Sequence, residues 1–97
     1  MTIPQPARIL HLTLHKKWFD AIARGEKKEE YRECKPYWDR RLKGLGFPIM
    51  IYFRNGYQKS APKMLVHCTG MRMAEFDGKK CYALQLGQID YIKNWKG

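Results

Sequence analysis

Acidic side chains are scarce in this chain: 9 Asp and Glu stand against 19 Lys and Arg in 97 residues, a formal net charge of +10 at pH 7. That imbalance points first to an anionic partner, a nucleic acid or nucleotide, although a surplus of lysines also keeps a small domain soluble. Paired cysteine motifs are lacking. Cys34, Cys68 and Cys81 form no C-x-x-C pair and are odd in number, which argues against a disulfide framework or a zinc site and for reduced thiols. His11, His15 and His67 are scattered over separate segments, so neither a metal nor a cofactor is expected. No stretch approaches the roughly 20 apolar residues of a membrane helix. The opening MTIPQPARIL lacks the apolar core of a signal peptide, so the expectation is a cytoplasmic protein without a membrane partner. There is no internal repeat and no low-complexity linker.

What is present is a foldable composition. A 44% hydrophobic and 13% aromatic content is too rich for a disordered chain, and the length suits one domain over residues 1–97. Residues 1–8, with two prolines, read as an extended leader, and ILHLTL as a first strand. In HKKWFDAIARG the apolar residues Trp18, Phe19, Ala21 and Ile22 fall at helical spacing, and Gly25 is placed as a left-handed cap. Pro36 marks the start of a second short helix, with Gly44 and Gly46 as its stop. FPIMIYFRNGY reads as a central strand ending at Asn55-Gly56, and KMLVHCTGMRM as another. A turn at Asp77-Gly78 leads to CYALQLGQIDYI, one long strand or two short ones broken at Gly87. The fold class expected is α+β: a small β-barrel of five or six mostly antiparallel strands with two short helices.

Between the two helices lies GEKKEEYRE, residues 25–33, in which seven charged residues surround one tyrosine. As a strand from Lys27 to Glu33 it places Glu30 and Arg32 on one face, about 6–7 Å apart along the backbone. Strict alternation sends Lys27 the other way with Tyr31, unless the turn at Gly25 resets the parity. Read from composition, the segment is a solvated edge strand whose charges discourage aggregation.

The order of these residues says more. Gly25, Lys27, Glu30 and Arg32 spell G-x-K-x-x-E-x-R behind a helix bearing Trp18 and Ile22. This resembles the signature of the ASCH (ASC-1 homology) family, and the likeness runs from Ile9 to the closing strand around CYALQLGQI. The resemblance implies a PUA-like β-barrel that binds RNA or a nucleotide in a cleft beside the first helix, lined by Lys27, Glu30 and Arg32. Some family members hydrolyse N4-acetylcytidine with a lysine two residues after the glycine, a threonine five after it and a distal glutamate. Here Lys27 holds the lysine position, Glu30 stands where the threonine belongs, and Glu75 is the one glutamate of the later segment. An N4-acetylcytidine amidohydrolase-like or ribonuclease activity, with Lys27 and Glu30 as the catalytic candidates, is therefore the alternative to plain binding. A third class is a module whose basic face meets an acidic protein.

Each candidate has a chemical rationale. Arg32 and Arg54 offer paired donors to phosphate, and Lys16 and Lys27 compact positive charge. Glu30 can accept from an exocyclic amine or orient Arg32. Arg54, Asn55 and Tyr57, expected opposite the cleft, combine a cation, an amide for base edges and a stacking ring, but the string is also an ordinary turn. Trp18 and Trp38 fit helical core positions, with Trp18 kept as a pocket-wall candidate. The partner expected is RNA, another single-stranded nucleic acid, or a nucleotide-like small molecule.

Overall fold

The computed structural model describes residues 9–97; the expected leader, residues 1–8, lies outside the described residues. The elements run β1 (Ile9–Thr13), α1 (Lys16–Ala23), β2 (Glu29–Glu33), α2 (Pro36–Leu42), β3 (Ile49–Arg54), β4 (Lys63–Phe76) and β5 (Lys79–Lys93). The five strands form one sheet in the order β1-β3-β4-β5-β2. The fold is α+β, and its sheet is curled into a half-barrel rather than closed. Its two edge strands are linked where Arg32 Nη2 on β2 donates to the Thr13 carbonyl of β1 at 3.3 Å.

The expected antiparallel pattern holds for β3·β4, β4·β5 and β5·β2, while β1 pairs with β3 in parallel. The cause is connectivity. A parallel pair needs a long crossover, and α1, β2 and α2 together supply one between Thr13 and Ile49. The later strands are joined by shorter returns. Phe76 and Lys79 face each other across Asp77 and Gly78, whose φ angles of 54° and 75° suit a two-residue hairpin turn.

Alternation along the strands selects the core. Ile49, Ile51 and Phe53 of β3 and Met64, Val66 and Cys68 of β4 point inward and are buried. Phe19 and Ile22 of α1 and Leu42 of α2 complete the cluster with Leu12, Leu14, Tyr82 and Leu84. β5 is one continuous strand through Gly87. A side chain at Gly87 would lie 3.3 Å from Thr69 Cγ2, a tight contact in the stretch where the register between β4 and β5 is irregular. All three cysteines are unpaired. Among the described residues no helix is long and apolar enough to cross a membrane.

Candidate functional site

The end of α1 sets the site. Gly25 adopts φ +78° and its amide donates to Ile22, while the Glu26 and Lys27 amides both donate to the Ala21 carbonyl, at 2.9 and 3.1 Å. This is a Schellman closure, in which a left-handed residue lets the chain fold back on its helix. Lys27 is therefore held against α1 and lies outside the strand, which begins at Glu29 and not at Lys27 as expected. The alternation argument fails at that residue. Lys27 reaches the same side as Glu30 because the turn, not a pleat, aims it.

Three charges converge there. Glu30 Oε1 lies 3.6 Å from Lys27 Nζ, and Glu30 Oε2 lies 2.8 Å from Arg32 Nη2. Glu30 is only 6% exposed, so its carboxylate requires a paired cation, and Arg32 is the closer of the two. Aromatic rings enclose the cations. Lys27 Nζ sits 5.0 Å from the centre of the Trp18 ring and 4.9 Å from that of Tyr31, and the Arg32 guanidinium lies 5.0 Å from Trp38. Arg32 Nε is buried and has no hydrogen-bond partner among the described residues.

Beside this cluster opens a cleft of about 140 Å³ walled by Trp18, Lys27, Glu30, Tyr31 and Phe76. Whole-ligand pockets run to about 300–1,000 Å³, so this one suits a single flat ring or end group of a larger molecule. Trp18 is 37% exposed and forms a wall of the cleft, the place its pocket-wall candidacy gave it, and is not the core residue its helical spacing suggested. Trp38 instead packs on the core. Arg32, expected to line the cleft, pairs with Glu30 but is not among the cleft's walls, so the cation the cleft itself presents to an anionic group is Lys27. The Trp18 ring beside it carries Lys17 Nζ at 4.7 Å as well as Lys27 Nζ, so a ring that stacks there takes the place of a lysine. Glu30 fixes both cations in place and leaves one net positive charge.

The other predicted residues fall elsewhere. Thr13, whose carbonyl Arg32 contacts, is the ladder partner of Arg54, so Arg54 starts one strand beyond the cleft. Arg54 Nε donates to the Gly56 carbonyl at 2.9 Å, and its guanidinium lies 5.9 Å from the ring of Tyr57, which is 82% exposed. The Asn55 amide donates to the Leu14 carbonyl at 2.8 Å, tying the loop to the end of β1. Lys16 borders a separate cavity of about 440 Å³ with Asn55, Asp20 and Trp95. There it pairs with Asp20 Oδ2 at 2.6 Å, while the Trp95 indole donates to Oδ1 at 3.0 Å. These two bonds, Lys16 first, hold the Asp20 carboxyl below its usual range. Glu75 is exposed near the β4–β5 turn, facing Lys80 in the ladder, and does not border the cleft.

Tyr31 and Phe76 are the wall residues that the sequence reading missed. Their rings stack 4.8 Å apart. Tyr31 stood inside the motif, but parity argued against it; Phe76 carries no local signal, because only the pairing of β4 and β2 with β5 brings it there. Searches against protein-family models, curated proteins and solved structures find no match to this chain.

Proposed function

We infer that the chain is a PUA-like domain of the ASCH type that binds RNA or a nucleotide-like ligand at the Lys27–Glu30–Arg32 cleft. The observation that carries this reading is the convergence of two cations on one buried carboxylate beside an exposed indole. Lys27 supplies charge for a phosphate at the cleft with Arg32 adding positive charge behind Glu30's carboxylate, and a base stacks on Trp18 by displacing a lysine from its ring.

Binding is favoured over hydrolysis by the position of Glu30. Where a hydrolase of the family carries threonine, this carboxylate is held between Lys27 and Arg32, and it supplies no hydroxyl nucleophile. The test is a titration followed by NMR. A short single-stranded RNA should shift the Trp18 indole signal and leave that of Trp95, bonded to Asp20, unmoved. Equal movement of both signals, or of neither, refutes the site. Conversion of N4-acetylcytidine to cytidine, or cleavage of labelled RNA, would return the hydrolase reading to first place.

A further inference from the structure

On the outer face of the sheet three cations stand in one rung. Arg54 of β3 is the ladder partner of Lys63 of β4, and Lys63 is the partner of Lys93 of β5. Side chains directly opposite across antiparallel strands lie about 4.5–5.5 Å apart at Cβ, and like charges so placed repel. Among the described residues no carboxylate pairs with any of the three. The acidic group near them in sequence, Asp90, is bonded to His67 at 2.7 Å.

One rung away the same face is aromatic. Tyr52 faces Leu65, which faces Tyr91, two residues before Arg54, after Lys63 and before Lys93 respectively. His11 of β1 lies 5.5 Å from Tyr52, and Tyr91 is 38% exposed, with Lys93 Nζ 5.3 Å from its ring centre. A sheet face with rings in one rung and unneutralised cations about 7 Å further along matches what a single strand presents: bases that stack and phosphates that need charge. A duplex hides its base faces, and an acidic peptide makes no use of the rings.

We propose that this outer face of β3, β4 and β5 is a second binding surface, for the backbone and bases of a single-stranded nucleic acid. It uses residues outside the Lys27 cleft and stands independently of the reading of that cleft.

The test measures the affinity of the full chain for a uridylate dodecamer across a range of salt, with a Lys63→Gln, Lys93→Gln double variant. The surface predicts a loss of about tenfold or more at low salt, and a log–log salt slope shallower by about 1.4 for two lost phosphate contacts. Melting temperature should hold, relief of the repulsion offsetting the exposed bond that Lys63 Nζ donates to the Lys59 carbonyl at 3.2 Å. Tyr91→Ala should weaken binding roughly fivefold or more while Tyr91→Phe preserves it. A double variant with unchanged affinity and slope overturns the proposal, even if Lys27→Ala abolishes binding. Loss in the double variant with no loss in Lys27→Ala supports this surface and removes the cleft. Displacement by oligoglutamate as effective as by oligouridylate of the same charge overturns the assignment to nucleic acid.

Discussion

Glu30 is the residue on which the candidate cleft depends. A carboxylate so buried is tolerable only while paired, and breaking such a pair costs about 3–5 kcal/mol when the other charge stays buried. Arg32→Ala should therefore destabilise the fold by roughly 3 kcal/mol, the retained Lys27 contact keeping the loss at the low end of that range. Lys27→Ala removes the longer of the two contacts and should cost about 1 kcal/mol. Urea denaturation of both variants checks the ranking, and an Arg32→Ala protein as stable as the parent would mean that Glu30 does not need its partner. It follows that Lys27→Ala is the cleaner probe of binding. At this scale the sequence was informative about which side chains meet. The pairing of Glu30 with Arg32 follows from simple alternation, whereas the direction of Lys27 depended on a turn whose geometry alternation does not contain.

At the scale of elements, two devices hold the site in place. The first is the closure at Gly25, where an L side chain in the left-handed region costs about 1–2 kcal/mol. Gly25→Ala should lower stability by about 1 kcal/mol and weaken ligand binding as well, since the same turn aims Lys27. An equilibrium unfolding curve beside a binding isotherm checks both, and a loss of stability without loss of binding would separate the turn from the cleft. The second device anchors edge strand β2. Glu29 accepts from Arg72 Nε and Nη2 of β4 at 2.9 and 3.0 Å, from the Tyr31 hydroxyl at 2.8 Å and from the Gln85 amide of β5 at 2.5 Å. Arg72 first, then Tyr31 and Gln85, pull its carboxyl down from an ordinary 4.5 to about 2.

A carboxyl with a depressed folded-state pKa stabilises the protein above its unfolded value, and that contribution disappears as the pH falls through the folded value. Stability from Glu29 is thus present above about pH 5 and is lost towards pH 2. Asp20 and Glu33, also lowered, add to the loss in the same direction. Melting temperature should fall on acidification over this window, and Arg72→Met should flatten the fall; an identical acid limb in the variant would deny Glu29 this role. Elements were well marked in the sequence where the signals are local. Gly25, Pro36 and Asp77-Gly78 fix ends and turns by their own backbone preferences. The contact of Glu29 with Arg72 spans three strands, and no spacing rule announces it.

For the whole molecule, the sequence conveyed class and strand number but not closure. The parallel pairing of β1 with β3 and the curl that brings Arg32 to Thr13 depend on long-range packing, which neither periodicity nor turn chemistry encodes. The cleft likewise joins residues of α1, β2 and β4 that only the folded sheet brings together. A net charge of +10 adds a general attraction for anions, so weak, salt-sensitive association with RNA alone would not establish a site. The decisive quantity is the difference between two proteins of nearly equal charge. Isothermal titration of a single-stranded RNA pentamer at about 0.1 M salt, with the parent chain and with Lys27→Ala, measures it directly. The cleft predicts affinity at least about tenfold weaker in the variant, beyond the loss of one exposed charge. Equal affinity in the two proteins would contradict it.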